Sequence, residues 1–520
     1  MYQQINLQLS PEKAYNELLL KAAVSTQLEL DVNRLKRIDI LKRSIDARQK
    51  NIKINLTLGI HIDEVDNEII ASEFDNIVYK NVDSDSPSVI VVGAGPAGLF
   101  ASLRLLELGI RPILLERGKD VDSRRIDLAA ISREQKVDPD SNYCFGEGGA
   151  GAFSDGKLFT RSKKKGPVEK ILRILHQHGA PMEILYDAHP HIGTDLLPGV
   201  IKSIRQTILS HGGEVHFQTP VEELIIESGK VKGVVTRNGK KYYGKVILAT
   251  GHSARDTFRM LNEKGVPMEP KGLAVGVRLE HPQELIDCLQ YKSRNGRGKY
   301  LPAAEYSFLT RVDSRAVYSF CMCPGGIVVP SASGPNQSAV NGMSPSNRGS
   351  RWANSGMVVE ILPDDIEGEN PLKMLEYQEK IEKIFYEASN RTQKAPAQRM
   401  EDFVKGRLSK DLESTSYAPG LIPTRVDELL PVEISSRLKK GFVEFDKRRR
   451  GFLTNRATVI GAETRTSSPI RLPRDKETMC HVSIEGLYPV GEGAGWAGGI
   501  VSAALDGQNA ASALWDHYFK

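Results

Sequence analysis

The chain has 520 residues, of which 40% are hydrophobic and 26% charged, and its formal net charge at pH 7 is +5. This composition is typical of a globular protein with more than one domain, and the small net charge gives no argument for a nucleic-acid partner. No apolar run reaches the roughly 20 residues that cross a bilayer. Five scattered cysteines do not make a disulfide framework, so we expect reduced thiols. Together with the lack of a membrane-spanning run, this leads us to expect a cytoplasmic protein.

The first segment, residues 1–82, is predicted to be a small α/β domain. The alternating strand INLQL precedes Ser10 and Pro11, a typical N-cap and first helical residue, and two further strand patterns follow, the second at IKINLTLGIHI. Between Arg34 and Lys53 there are eight Lys or Arg against two Asp. This basic excess favours a solvated face, and contact with RNA is the alternative.

A βαβ pattern follows an acidic, serine-containing linker. The stretch SVIVVGAGPAGLF places Gly93, Gly95 and Gly98 between a strand and a helix, the context in which GxGxxG binds a dinucleotide. Gly93 is expected in the tight turn, Gly95 beside the pyrophosphate and Gly98 where helix and strand pack. Glu116 ends the next strand, where a carboxylate accepts both ribose hydroxyls and disfavours the 2'-phosphate of NADP. The predicted contacts here are Gly93, Gly95, Pro96, Ala97, Gly98, Glu116 and Arg117.

The later elements divide the chain further. Segments such as LIIES and KGVVTRNGK predict a β-meander that ends in the strand KVILATG. GLAVGVRLE, AVYSFCM and GMVVEIL then predict a mainly antiparallel sheet, and GLYPVGEG returns to a buried strand before a final helix. We predict one nucleotide-binding domain from 88–271 and 451–520, with a substrate domain at 272–450 inserted between its parts.

Several motifs carry a family resemblance. KVILATGHS and GLYPVGEGAGWAGGIVSAALDG resemble the second and last fingerprints of flavoproteins of the glutathione reductase superfamily. With FGEGGAGAFSDGKLFT, PHIGTD, FCMCPGGIVV and ETRTSSPIR, the chain resembles the bacterial FAD-dependent dehydrogenase-like proteins described as NAD(FAD)-utilising dehydrogenases. The resemblance implies FAD as cofactor, a Rossmann-like FAD-binding domain and an oxidoreductase, either dehydrogenase or reductase. Because no second GxGxxG unit occurs, NADH or NADPH is expected to dock only transiently.

The resemblance also implies how the chain holds the flavin. The C-terminal segment would return to the first βαβ unit, so that peptide N–H groups and the positive end of the last helix stabilise charge at N1 and O2 of the reduced ring. The further implied cofactor contacts are Gly148, Gly149, Ser154, Lys157, Val221, Thr250, Gly251, Gly491, Glu492, Gly498, Gly499 and Ile500.

Five residues near these motifs are candidates for chemistry, namely Lys157, His191, His252, Arg465 and Arg471. A histidine beside a flavin suits general acid catalysis because its pKa lies near neutrality, and a structural role is the alternative. Arg465 and Arg471 flank a Ser-Ser-Pro turn and suit bidentate capture of a carboxylate or phosphate; salt bridges to Glu463 and Asp475 are the alternative. Lys157 is expected near flavin N5 or the phosphates, or else in solvent.

Two cysteines form a separate candidate. Cys321 and Cys323 lie two residues apart in a predicted strand, which places both side chains on one face. Packing, a functional or redox-active thiol pair, and metal ligation are the three interpretations. The sequence offers no further ligands at zinc-like spacing, so we predict no metal site.

The predicted function is that of an FAD-dependent oxidoreductase in which hydride moves at flavin N5 and the protein supplies orientation and charge stabilisation. The expected substrate is a small or amphipathic organic acid. Two alternatives belong to other classes: a flavin-dependent RNA-modifying or RNA-binding protein, and an FAD-binding sensor or structural flavoprotein without turnover.

Overall fold

The computed structural model describes residues 1–65, 76–159 and 166–520. Thr160, the last residue of the predicted glycine-rich loop, lies outside the described residues, as do the parts of the predicted first and second domains at 66–75 and 160–165. Among the described helices, none combines the length and the apolar composition needed to span a bilayer.

The N-terminal domain is a three-stranded antiparallel sheet with two helices against it. Its elements are β1 Tyr2–Leu9, α1 Pro11–Tyr15, α2 Glu17–Leu28, β2 Leu35–Asp46 and β3 Lys53–Ile62, with strand order β1-β3-β2. Ser10 Oγ accepts from Lys13 N at 3.5 Å and caps α1, as predicted. The alternating apolar residues of β3, including Leu56 and Leu58, are buried with Val24 of α2. This periodicity builds a core separate from the other domains.

A five-stranded parallel sheet forms the centre of the FAD-binding part. Its strands are β4 Ser88–Val92, β5 Arg111–Leu115, β6 Glu214–His216, β10 Val246–Leu248 and β22 Leu487–Pro489, in the order β22-β10-β4-β5-β6. Strands β10 and β22 are completely buried, as expected for a parallel sheet covered on both faces, although β22 lies at its edge. A separate antiparallel meander consists of β7 Val221–Glu227, β8 Lys230–Thr236 and β9 Lys241–Tyr243.

Helices cover this sheet and bring the two ends of the domain together. They are α3 Pro96–Leu108, α4 Val121–Glu134, α5 Val168–Gln177, α6 Glu183–Tyr186, α7 Leu197–Ser210, α8 Arg255–Glu263 and α14 Ile500–Tyr518. The C-terminal helix α14 packs closely on α3. A β-carbon at Gly507 would overlap the carbonyl oxygen of Ala97, so only glycine permits this distance. The return of the C-terminal segment to the first βαβ unit therefore depends on a residue without a side chain.

A seven-stranded, mainly antiparallel sheet makes the second large domain. Its strands are β12 Leu273–Pro282, β13 Leu309–Val312, β14 Arg315–Cys323, β17 Trp352–Ile361, β18 Ala395–Arg399, β19 Leu421–Pro423 and β20 Thr458–Glu463, in the order β13-β14-β17-β12-β20-β18-β19. Two smaller ribbons pair β11 Glu269–Pro270 with β21 Ile470–Arg471 and β15 Ile327–Pro330 with β16 Val340–Met343. The helices of this domain are α9 Gln283–Tyr291, α10 Lys373–Ala388, α11 Met400–Lys405, α12 Val426–Leu429 and α13 Val432–Arg448.

The predicted α/β fold class is confirmed, but one domain boundary needs correction. Residues 451–520 were assigned to the FAD-binding part, whereas β20 pairs with β12 and β18 of the antiparallel sheet. The antiparallel sheet therefore extends to Glu463 and does not end near Arg450. The sequence pattern of β20 shows a buried strand but not its neighbours, which lie far away along the chain.

The contact between α3 and α14 predicts a specific stability effect. Gly507→Ala should lower the free energy of unfolding by about 1–3 kcal/mol, because the added methyl group forces two packed helices apart. Denaturant unfolding followed by circular dichroism measures this. Gly199→Ala in α7 is the matched control, since its β-carbon meets no atom within 4 Å and alanine favours a helix. A loss in the control equal to that of Gly507→Ala would contradict the interpretation.

Candidate functional site

A cavity of about 400 Å³ lies at the carboxyl edge of the parallel sheet. The residues that follow β4, β5 and β10 line it, together with Gly498 and Gly499 just before α14. Cys321 of β14 and Asn341 of β16 close it from the antiparallel domain. In open α/β sheets this edge is where ligands bind.

The cavity brings together most of the residues predicted to contact the cofactor. Those on its wall are Gly93, Gly95, Pro96, Ala97, Glu116, Arg117, Gly149, Ser154, Lys157, Val221, Thr250, Gly251, Glu492, Gly498, Gly499 and Ile500. Gly98, Gly148 and Gly491 lie behind the wall. Gly148 N donates to Ala94 O at 2.8 Å, and Gly491 N donates to Asp506 Oδ2 at 2.8 Å. These bonds hold the loops that form the wall.

The three glycines of the first turn have different physical reasons to be glycine. Gly93 has a φ of +103°, and a β-carbon there would lie 2.8 Å from Ala249 O. At Gly98 a β-carbon would overlap Gly93 O, so this glycine allows α3 to pack on the turn. Gly95 differs, because its β-carbon would meet only Gly149 Cα, at 4.0 Å. The missing side chain of Gly95 therefore leaves room for a ligand rather than for the protein.

Glu116 is buried at the end of β5 and its carboxylate is held by backbone amides. Oε1 accepts from Gly118 N at 2.9 Å and from Gly146 N at 3.1 Å, and Oε2 accepts from Ala94 N at 2.7 Å. A carboxylate has about four acceptor positions, so one position remains free, on Oε2. Acceptance of the ribose hydroxyls at Glu116 stays a prediction, and Oε2, which accepts one backbone bond here, is the oxygen with room for it.

Arg117, beside Glu116, is already paired. Its guanidinium donates to Asp140 and Asp256, with its shortest bond of 2.8 Å to Asp256 Oδ2, and it lies 4.4 Å from the centre of the Phe145 ring. The residue can therefore contribute a flat, charge-compensated surface to the cavity, but no free positive charge.

At the opposite part of the wall, the last helix begins. Gly498 and Gly499 are exposed and line the cavity, and a β-carbon at either would meet no atom within 4 Å. The first amides of α14 follow directly, where a helix has unpaired N–H groups and a positive end. Open glycines before a helix N-terminus fit a flat, electron-accepting ring.

Arg465 lies on the wall, but it is not available for an acid substrate. Its guanidinium donates to Glu382 Oε1 at 3.1 Å, to Glu382 Oε2 at 3.0 Å, to Ser253 Oγ at 2.9 Å and to Gln337 Oε1 at 2.8 Å. The predicted alternative was a salt bridge from Arg465 to Glu463. A salt bridge does form, but its carboxylate belongs to Glu382. Glu463 instead pairs with the buried Arg278 at 2.8 Å.

Arg471 does not join Arg465 at the cavity. It is absent from the wall, and its guanidinium carbon lies 5.0 Å from the centre of the Trp496 ring. Its expected partner Asp475 instead accepts hydrogen bonds within its own loop, from Glu477 N and Thr478 N. The expectation that Arg465 and Arg471 together bind one carboxylate or phosphate is therefore wrong, because Arg465 lies on the cavity wall and Arg471 does not.

Only one of the two candidate histidines lines the cavity. His252 is on the wall, with Nδ1 3.2 Å from Glu492 Oε2. His191 lies behind it, and its Nε2 is 3.0 Å from Ser346 O. Burial and the nearby charge of Arg348 lower the pKa of His191, which favours a neutral, structural imidazole.

Lys157 and two cysteines form a charged cluster on the wall. Lys157 Nζ donates to Met322 O and lies 3.8 Å from Asp155 Oδ2. Burial acts to lower the pKa of Lys157, but Cys321, Cys323 and Asp155 outweigh it and raise the pKa above its usual value. The hydrogen bond from Cys323 lowers the pKa of Cys321 to about 5 against the effect of burial, with help from Lys157 and Arg278. Lys157 therefore favours its charged form, and Cys321 is the more readily ionised of the two thiols because the pKa of Cys323 is raised.

Among the wall residues that were not predicted as site residues, three carry a polar or aromatic group from which chemistry can be argued: Asp155, Phe320 and Asn341. Asp155 lies inside the glycine-rich loop SDGK, so its position beside Ser154 and Lys157 was a usable signal. Phe320 lies on β14 of the seven-stranded sheet, and Asn341 lies on β16 of a two-stranded ribbon. Only the tertiary fold brings these two residues to the cavity.

Comparison with known proteins supports this reading of the site. Family models match residues 86–125 as an FAD binding domain, 198–315 as an FAD dependent oxidoreductase, 272–466 as the C-terminal domain-like part of an FAD-dependent protein, and 1–61 as a domain of unknown function. The fold, the cavity and these matches define an FAD-dependent oxidoreductase with FAD as its cofactor.

The chain belongs to the same family as an uncharacterized protein of Clostridium beijerinckii, with which it is 41% identical over 518 residues, 96% of each chain. A weaker similarity, 27% over 235 residues, links it to the tRNA uridine 5-carboxymethylaminomethyl modification enzyme MnmG of Lactobacillus helveticus. That match covers 42% of this chain and only 30% of the enzyme. A geranylgeranyl bacteriochlorophyll reductase-like structure from Thermoplasma acidophilum superposes with a TM-score of 0.35 at 13% identity, covering 84% of this chain and 79% of the other.

The buried pair of Arg465 and Glu382 predicts a pH-dependent stability. Burial alone raises the pKa of Glu382, but Arg255 and Arg465 hold it at about 2, below its usual value of 4.5. The ionised carboxylate therefore stabilises the fold above pH 4.5, and this contribution is lost as the pH falls towards 2. Glu382→Gln should cost about 3–5 kcal/mol near neutral pH, because two buried guanidinium groups lose their counter-charge.

Denaturant midpoints of wild type and variant between pH 7 and pH 3 measure this effect, and the gap should narrow below pH 4.5. Glu387→Gln on the same helix α10 is the control, since Glu387 pairs only with the exposed Arg391 and should change little. A gap that stays constant with pH would contradict the assignment of this stabilisation to Glu382.

Proposed function

We propose that the cavity holds FAD in an extended form and that the protein transfers hydride between flavin N5 and a small substrate. The adenosine ribose would lie at Glu116, the pyrophosphate at Gly95 and the start of α3, and the flavin ring near Gly498 and Gly499. The observation that carries this proposal is that a single cavity contains all of these features together with a wall from the antiparallel domain.

FAD, when bound, supplies the hydride chemistry, and the residues of this chain orient it and control charge. The amides at the start of α14 would stabilise negative charge on the reduced ring. His252 and Glu492, whose side chains approach to 3.2 Å, are suited to hold a proton at this part of the wall.

The substrate is proposed to enter where Lys157, Phe320 and Asn341 line the cavity. Lys157 presents a cation on this wall with Asp155 3.8 Å away, whereas Arg465 is held by direct bonds of 3.0 Å and 3.1 Å to Glu382. A small molecule with an anionic or strongly polar group and an apolar body fits this combination of lysine, amide and phenyl ring. An organic acid is thus the proposed substrate class, and a nicotinamide is the proposed transient electron donor.

The position of Gly95 provides a direct test of cofactor binding. Gly95→Ala should reduce the affinity for FAD at least about tenfold, because the methyl group occupies space needed by the pyrophosphate. Its φ of −75° suits alanine and no protein atom lies closer than 4.0 Å, so the fold should remain stable. Flavin fluorescence titration and thermal unfolding of Gly95→Ala and Gly199→Ala separate the two effects. Unchanged affinity in Gly95→Ala would contradict the placement.

The reaction itself is tested by anaerobic mixing of the FAD-loaded protein with NADH, NADPH and a panel of organic acids. At least one should bleach the flavin, and Lys157→Met should slow that step by about 10-fold to 100-fold, because a charge-assisted contact with the substrate is lost. Lys202→Met is the control, since Lys202 pairs with Asp122 at the surface. If no compound changes the flavin spectrum, the protein is better described as a sensor or structural flavoprotein.

A flavin-dependent RNA-modifying protein is a second candidate, favoured by the partial similarity to the tRNA-modifying enzyme. The four arginines of the basic segment from Arg34 to Lys53 are, however, paired with carboxylates. Each of its arginines lies within 2.7 Å of a carboxylate; the pairs are Arg34–Asp63, Arg37–Asp39, Arg43–Asp187 and Arg48–Asp46. Strong, salt-dependent binding of transfer RNA would favour this candidate over a small-molecule oxidoreductase.

A further inference from the structure

The cysteine cluster consists of Cys321, Cys323, Lys157 and Arg278. Cys321 is on the wall of the FAD cavity, and Cys323 is completely buried behind it on the same strand. Cys323 Sγ donates to Cys321 O at 3.3 Å, so the two residues are in direct contact. Cys321 thus lines the FAD cavity, and Cys323, next to Cys321, is shielded from solvent.

A β-bulge positions these thiols. The register of β14 against β17 shifts between Phe320 and Cys323, so that β14 contains one residue more than its partner at this point. Cys321 has a φ of +45°, in the left-handed region that a residue with a side chain rarely adopts. Such backbone strain is concentrated at functional sites, and bulges redirect side chains there. Here the strained residue is the cysteine on the cavity wall.

The charges around Cys321 favour its ionised form. Lys157 donates to the neighbouring Met322 O, and Arg278 Nη1 donates to Cys321 O at 2.8 Å. Two acidic groups face the cluster: Asp155 lies 3.1 Å from Arg348 and 3.8 Å from Lys157, and Glu463 pairs with Arg278 at 2.8 Å. The cluster therefore places one thiol near two cationic side chains and next to a second, buried thiol, an arrangement that suits thiol–disulfide chemistry.

We infer that Cys321 and Cys323 form a dithiol–disulfide couple that exchanges an electron pair with the FAD in the adjoining cavity. When the S–S bond forms, the Cys321 thiolate and the Cys323 thiol together lose two electrons and one proton, and oxidised flavin gains the same two electrons and one proton. Reduction of the disulfide by reduced flavin is the reverse. This inference rests on the proposed function and makes the cysteine pair a second redox centre beside the flavin.

The spacing permits such a bond. Strand positions two residues apart are about 6–7 Å apart at Cα, which overlaps the upper part of the range spanned by disulfides. Because Cys323 Sγ already contacts the carbonyl oxygen of Cys321, closure requires local adjustment of the two side chains and of the bulge. The pair would be strained when oxidised, and strained disulfides are the ones that are readily reduced.

The test is photoreduction of the FAD-loaded protein without oxygen, after treatment with the thiol oxidant diamide. In this method electrons enter at the bound flavin. Wild type should take up one electron pair more per flavin than the double variant Cys321→Ser/Cys323→Ser, because disulfide and flavin each accept a pair. Mass spectrometry of the peptide with both cysteines should show two hydrogen atoms fewer before photoreduction and none missing afterwards.

Cys288→Ser is the matched control, because Cys288 lies on α9 and is not on the cavity wall. It should keep the electron uptake of wild type. Equal uptake by wild type and the double variant, with no disulfide peptide, would overturn the inference while leaving a flavin that still accepts electrons. Failure of the proposed function differs visibly: either no FAD binds, or no donor reduces bound flavin. The peptide masses of wild type decide the matter even if the double variant does not fold.

Discussion

The contact between the C-terminal segment and the first βαβ unit is the constraint on which the cavity depends. The short strand β22 pairs in parallel with β10, and α14 lies against α3 at Gly507. A β-carbon at Gly493 would overlap the carbonyl of Thr250, so the segment between β22 and α14 is pressed onto the turn after β10. Without this contact the glycine turn and Glu116 would still form, but one wall of the cavity would be missing.

Asp506 fixes the same segment from within α14. Its carboxylate accepts from Gly491 N at 2.8 Å and from Arg474 at 2.6 Å and 3.0 Å, and it is almost fully buried. A buried carboxylate that bonds both a backbone amide and a guanidinium favours one arrangement of the loop over others. The glycines that face the cavity can thus be open without being loosely held.

A buried charge network joins the two large domains. Arg255 begins α8 in the FAD-binding part, Glu382 lies in α10 of the antiparallel domain, and Arg465 follows β20. Glu382 is fully buried and bonds both arginines, with a 2.8 Å bond to Arg255 Nη2. Burying these charges is costly unless each is paired, so a sliding of one domain on the other would leave a buried charge alone. The network therefore resists displacement of one domain on the other, and Arg465 is held within it.

What the sequence could predict follows from the range of the interactions involved. The roles of Gly93, Gly95 and Gly98 are local, and the motif SVIVVGAGPAGLF indicated the turn correctly. The partner of Arg465 lies 83 residues away on a helix, so proximity in sequence pointed to Glu463 instead. Likewise the pair Cys321 and Cys323 was visible, but the bulge that turns one thiol towards the cofactor arises from register with β17. Motifs locate the groups that bind a common cofactor, whereas the groups that select the reaction come from another sheet and become apparent only when that sheet is placed against the cofactor.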